Sequence, residues 1–186
     1  GAELIGLMLP AARFVDSLSL DGNQLCGLSD DDDGIIQGAY TTLGFTKLCE
    51  GLKGSAVTSL SLCGNHIGDR GASAVAAVLK ETRISQLNLA YNALCGLIGQ
   101  GYGTYTAEGI AKLCEGLKGS TVTSLDVGVN NITGDAAAYL AKVVLEHASM
   151  TDFCGIPLVS LRENSITKLN LKEKGVGEPG AIVLSK

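Results

Sequence analysis

Residues 57–67 read VTSLSLCGNHI, and the same frame recurs as VDSLSLDGNQL at 15–25, ISQLNLAYNAL at 84–94, VTSLDVGVNNI at 122–132 and ITKLNLKEKGV at 166–176. Every copy is aliphatic at its first, fourth, sixth and eleventh positions. Four copies carry Asn at the ninth, as Asn23, Asn65, Asn92 and Asn130, whereas the last has Lys174. A fixed period gives each position a meaning that an isolated residue lacks. The fourth and sixth positions alternate with polar neighbours, the period of a strand with one face turned inward. Leu18 and Leu20 and their equivalents therefore point into a stack. The outward set is Ser17, Ser19 and Asp21; Ser59, Ser61 and Cys63; Gln86, Asn88 and Ala90; Ser124, Asp126 and Gly128; and Lys168, Asn170 and Lys172. Where the chain turns after each strand, an Asn side chain can satisfy backbone groups that would otherwise be buried unpaired. Stacked copies would form a ladder, each rung costing about 1–3 kcal/mol to lose.

Between the strand frames the aliphatic spacing changes to i, i+3, i+4, i+7, which places one apolar stripe on a helix. The stripes are Ala72, Val75, Ala76 and Leu79; Ile110, Leu113, Cys114 and Leu117; and Ala137, Leu140, Ala141 and Val144. Residues 41–55 and 106–120 are near copies, and Gly54 and Gly119 stand where a helix C-terminal glycine belongs. A weaker start at Met150 and Phe153 predicts an irregular strand over 150–154, followed by a turn at Ile156 and Pro157 in place of a full helix. The reading is one domain over 1–186. It has a capping helix over 1–14 bent or closed by Pro10, repeats over 15–186, long loops at 26–40 and 95–105, and an irregular repeat at 150–165. Gly1 in place of Met reads as a processed or engineered start. Only a short helix follows Val176, which predicts an apolar edge over 181–184 and self-association through an uncapped C-terminal end.

Repeats of this length with a helix in each resemble the ribonuclease-inhibitor class of leucine-rich repeats, found also in NOD-like immune receptors and the activator of the Ran GTPase. The resemblance runs from Phe14 to the end. The segments LCGL, GTYTAEGI (103–110) and FCGIPLVSLRENSITKLNLKEKGVG (153–177) look like leucine-rich-repeat proteins of single-celled algae and protists. The implied fold is an α/β solenoid of about five to six repeats, a right-handed horseshoe arc with parallel strands on the concave face and helices on the convex face. The implied function is protein recognition, with regulation of a small GTPase as the alternative taken from the Ran activator.

Composition narrows the chemistry. A net charge of -5 offers nucleic-acid phosphate no electrostatic reason to bind. No apolar run reaches the roughly 20 residues of a membrane-spanning helix. The six cysteines lack CxxC spacing and the density of a disulfide scaffold. Read as reduced thiols, they suggest an intracellular compartment. Zinc needs converging Cys and His ligands that scattered single residues do not supply, so neither metal nor cofactor is expected.

Other candidates carry weaker signals. The run Asp30, Asp31, Asp32, Asp33 before Gly34 does not fit an EF-hand loop and reads as a solvated insertion or a weak cation site. Gly99, Gly101 and Gly103 match neither a P-loop nor a dinucleotide fingerprint. Tyr102 and Tyr105 beside them would pack on a neighbouring loop or meet a partner. Cys63 and His66 could form a nucleophile pair, but the frame implies no third orienting group. His147 follows a helix end, where a cation favours the last carbonyls. The expectation is a non-enzymatic scaffold that binds a protein through the concave residues Ser19, Asp21, Ser61, Cys63, Asn88, Ala90, Asp126, Gly128 and Asn170, or through the Asp30–Asp33, Tyr102 and Tyr105 loops.

Overall fold

The computed structural model describes residues 1–30, 36–98 and 102–186. In chain order its elements are α1 (Ala2–Met8), β1 (Ser17–Ser19), β2 (Leu28–Asp30), β3 (Ile36–Gly38), α2 (Leu43–Leu52), β4 (Ser59–Ser61) and α3 (Gly68–Val78). There follow β5 (Gln86–Asn88), β6 (Leu97–Ile98), β7 (Tyr102–Gly103), α4 (Glu108–Leu117), β8 (Ser124–Asp126), α5 (Gly134–Glu146), β9 (Asp152–Phe153), β10 (Ile156–Pro157), α6 (Leu158–Arg162) and α7 (Gly177–Leu184).

One sheet runs in the order β1-β4-β5-β8-β9-β10. Its first five strands are parallel and in register, so that Leu18, Leu60, Leu87, Leu125 and Phe153 form a single rung. Leu20, Leu62, Leu89 and Val127 are buried along the same axis. The helical stripes meet this layer from the other side: Ala72, Val75 and Leu79 in one repeat, Ile110, Leu113 and Leu117 in the next, and Ala137, Leu140 and Val144 after that are all buried. Each repeat thus buries its aliphatic face against its neighbours, which is how a solenoid is stabilised without a central core. Gly54 and Gly119 take φ of +69° and +78° just past α2 and α4, releasing the chain toward the next strand.

Both long loops fold back as antiparallel ribbons, β2 with β3 and β6 with β7. Their bases need glycine, because a Cβ on Gly38 would stand 2.1 Å from the Gly27 carbonyl oxygen and one on Gly103 would stand 2.3 Å from that of Gly96. Gly103 therefore serves a close backbone approach. Gly34, Gly99 and Gly101 lie outside the described residues.

The C-terminal third departs from the expected plan. β9 pairs parallel with β8, the turn falls at Cys154 and Gly155, and Ile156–Pro157 returns as the antiparallel strand β10, followed by the one-turn helix α6. The frame at 166–176 forms no strand. β10 already occupies the place beside β9, so Lys168, Asn170 and Lys172 are exposed on irregular chain instead of belonging to the sheet. At the other end α1 packs on α2 through buried Gly6, whose Cβ position lies 2.3 Å from the Lys47 carbonyl oxygen. Leu4, Leu7 and Met8 face solvent, so α1 presents an apolar outer side. α7 buries Val183 and leaves Ala181 and Leu184 exposed.

Candidate functional site: the concave face

The outward side chains of the parallel strands line a shallow groove of about 390 Å³. Its floor is Ser59, Ser61, Gln86, Asn88, Ser124 and Asp126, and Asp152, Gly155 and Lys174 close one end. These side chains keep their places because the hydrogen-bond ladder leaves a parallel strand one choice of outward row. The strands sit on the buried leucine rung, so the surface is preformed.

The turn edge of the groove is held by the asparagines. Asn65 Oδ1 accepts from the backbone N–H groups of Asn23 (2.9 Å) and Leu25 (3.3 Å). Asn92 Oδ1 does the same for Asn65 (3.0 Å) and Ile67 (3.5 Å), and Asn130 Oδ1 for Asn92 (2.9 Å) and Leu94 (3.2 Å). Each Nδ2 donates to the preceding repeat: Asn65 to Leu20 O, Asn92 to Leu62 O, and Asn130 to Leu89 O. Asn23, in the first repeat, donates only locally to Asp21 O and is exposed. Beyond Asn130 the pattern changes, and the buried Cys154 thiol accepts from Val127 N at 3.5 Å.

The polar residues of the groove also fasten their own turns. Asp21 Oδ1 accepts from Ser61 Oγ (2.6 Å) and Cys63 N (2.8 Å), linking the first two repeats. Asn88, Asp126 and Asp152 each accept from a backbone N–H shortly after, at Ala90, Gly128 and Gly155. Burial holds the Asp152 carboxyl above the usual carboxylate range, and the Asp126 charge adds to this, while the Gly155 N–H and Lys174 oppose it. The Lys174 stem lies over Gly155, where a Cβ would come within 3.1 Å of Lys174 Cδ.

Not every expected contact residue is open to a partner. Ala90 is 6% exposed and Gly128 is buried, the latter because the backbone carbonyls of Lys174 and Gly175 lie across it. Asn170 is exposed but outside the sheet, and its side chain accepts from Lys172 N. Ser19 and Asp21 are exposed, and Ser61, Cys63, Asn88 and Asp126 are half-buried on the groove side.

The Tyr105 hydroxyl donates to Thr133 O at 2.9 Å, in the next repeat, just before α5 begins. Tyr40 is its counterpart in the first ribbon and donates to Ile67 O at 2.5 Å, just before α3. These tyrosines tie each long repeat to the helix start of the following one. Their shared place at the return of each long unit is the sequence signal that pairs Tyr40 with Tyr105. Asp31, Asp32 and Asp33 lie outside the described residues, while Asp30 and Tyr102 stand at the ends of β2 and β7.

The thiols are free, and five of the six are buried. Desolvation raises Cys26, Cys114 and Cys154 to about 12. Cys63 is raised as well, by burial and by the charges of Asp21 and Asp126, the reverse of what an activated nucleophile needs. His147 Nε2 lies 3.2 Å from Leu117 O, so it meets the end of the neighbouring helix α4 instead of its own. Among the described residues no group of His, Cys, Asp or Glu is placed to hold a metal ion, and no helix is long and apolar enough to cross a membrane.

Residues 56–76 and 120–141 match the family described as Leucine Rich repeat. These stretches each cover a strand, the Asn turn and the helix start that follows. No curated protein matches the chain. Among solved structures, leiomodin-1 actin-binding site 2 superposes with a TM-score of 0.60 at 17% identity, covering 98% of this chain and 93% of that one. At that identity the likeness concerns the fold. Repeat frame, sheet register and superposition agree that the chain is a leucine-rich-repeat solenoid.

Proposed function

We propose that the protein is a non-enzymatic recognition module that binds a protein partner along its concave face. The observation that carries this reading is the uncovered groove of small polar side chains, held in register over the four parallel strands β4, β5, β8 and β9 and closed at one end by Asp152, Gly155 and Lys174. Extended curved surfaces of stacked repeats present many weak polar contacts at once, and such a face gains specificity from shape and hydrogen bonding. The groove lacks the Trp, Tyr and Arg anchors that dominate most small interfaces, so a partner must supply the bulky groups. A helix in nearly every repeat supports placing it in the ribonuclease-inhibitor class. The raised Cys63 thiol supports the non-enzymatic reading.

The test is capture of partners from source-cell extract by three immobilised proteins: the wild type, Ser59→Arg/Ser124→Arg in the groove, and Lys112→Glu on α4. Proteins held by the wild type and by Lys112→Glu but lost from the groove variant support the reading. Identical capture by all three would count against it. Actin, named in leiomodin-1 actin-binding site 2, and purified small GTPases are suitable first partners in a direct binding assay.

A further inference from the structure

Each ladder asparagine closes the turn of the repeat before it in the same way. Asn65 Oδ1 accepts from the N–H groups at the ninth and eleventh positions of the first frame, and its Nδ2 donates to the carbonyl at the sixth. Asn92 and Asn130 repeat this on the frames that precede them. The frame at 122–132 is not closed so, because the ninth position of the last copy is Lys174, whose ammonium has no acceptor and whose stem lies over Gly155. Asn130 N and Ile132 N therefore meet no acceptor among the described residues, although these two residues are only 2% and 5% exposed. Among the same residues Val127 O accepts from Asn130 Nδ2 alone, whereas Leu62 O, at the same frame position, accepts from both Asn65 and Asn92.

The residues that carry these groups border a cleft of about 320 Å³. Val127, Asn130 and Ile132 line it from the turn, and Val176, Glu178 and Pro179 line it from the start of α7. Its volume is roughly ten times the share of one water in the liquid, about 30 Å³, so a small organic group has room there. Buried N–H and carbonyl groups are nearly always paired, and the unpaired set here calls for an oxygen acceptor and an N–H donor on one small group. A carboxylate supplies the oxygen but meets Val127 O and the charge of Glu178, which already accepts from Gly134 N at 3.2 Å. An ammonium or guanidinium has donors only.

We infer that this cleft binds a primary carboxamide, held by Asn130 N, Ile132 N and Val127 O as the ladder holds its own side chains. The amide belongs to a small molecule or to an Asn or Gln side chain of a polypeptide, which present the same atoms. The site does not rest on the concave-face reading, since none of its three bonding groups belongs to the groove floor.

Proton–nitrogen correlation spectra of the isotope-labelled full chain test this. Acetamide, titrated to about 0.2 M, should bind with a Kd of about 1–50 mM. It should shift the amide signals of Asn130 and Ile132 and leave those of Asn65 and Asn92, whose N–H groups are already bonded, in place. N,N-dimethylacetamide keeps the oxygen and loses the donors, so it should bind about fivefold more weakly. An acetylated Ala-Asn-Ala N-methylamide, compared with its Ala-Ala-Ala counterpart, separates the sources: tighter binding than acetamide assigns the site to a polypeptide side chain, and weaker binding to a free amide. Glu178→Gln, which keeps an acceptor for Gly134 N, should leave the acetamide affinity unchanged and raise that for acetate. The inference would be overturned by unmoved Asn130 and Ile132 signals, by equal affinity for dimethylacetamide, or by acetate binding the wild type as tightly as acetamide.

Discussion

Substituting Asn92 by alanine removes one complete rung, and its cost can be worked bond by bond. Four hydrogen bonds disappear: two accepted from Asn65 N and Ile67 N, and two donated to Leu62 O and Ala90 O. The carbonyls keep other donors, since Leu62 O still accepts from Asn65 Nδ2 and Ala90 O from Gly64 N. The two N–H groups lose the acceptor that served them, in a place that is buried. An orphaned buried donor costs about 1–3 kcal/mol, and the longer 3.5 Å bond to Ile67 N belongs at the low end, so Asn92→Ala should lose about 2–4 kcal/mol. Asn23→Ala is the matched control, because Asn23 serves as acceptor for no earlier repeat; its loss should stay under about 1 kcal/mol. Urea unfolding followed by circular dichroism measures both, with unchanged slopes showing that stability alone has moved. A loss for Asn92→Ala no greater than for Asn23→Ala would refute the ladder as a source of stability.

Other expectations follow from the same contacts. Gly103→Ala places a methyl group 2.3 Å from the Gly96 carbonyl at φ of +114°, so it should open the β6–β7 ribbon, seen as faster amide exchange in β6 and β7 with the main sheet unchanged. Tyr105→Phe should cost about 1 kcal/mol in urea unfolding through the lost bond to Thr133 O. The raised Asp152 carboxyl binds its proton more readily folded than unfolded, so stability falls as pH rises from about 4 through the elevated value. Asp152→Asn keeps the acceptor for Gly155 N, and its stability relative to wild type should therefore improve across that window, as read from thermal unfolding at each pH. Alkylation of the native protein near pH 8 should modify Cys63 first and spare the buried thiols until denaturant is added, by mass spectrometry.

The repeat frame made the inward rows legible because burial on one face leaves a period of two and packing on a helix leaves one of 3.6, and both survive in sequence. Leu20, Leu62, Leu89 and Val127 and the three helical stripes are buried where that periodicity places them. The ribbons were not legible, since β6 and β7 are two residues each and carry no periodicity. The signal that could have found them is the recurrence of Gly27 with Gly38 and of Gly96 with Gly103 at the same places in both long units. The last frame, 166–176, illustrates the opposite error. It has the composition of a strand, but a strand is a property of pairing, and β10 takes the neighbouring position first. For the same reason Asn170 fell outside the groove and Lys174 came into it, as contacts from distant chain decide which surface stays open. Ala90 and Gly128 show that an outward position in a strand frame is not yet an exposed one.

The claim that a partner sits on the concave face can be tested with a probe already in place, since Cys63 is the one thiol on the groove side that is not buried. Maleimide labelling would be followed with and without a captured partner, beside a control thiol introduced as Lys112→Cys on the convex helix α4. The complex should shield Cys63 while the α4 thiol reacts at its free rate, and prior labelling of Cys63 should block binding. Equal reactivity of Cys63 in the free and bound protein, with binding undisturbed by the label, would contradict it.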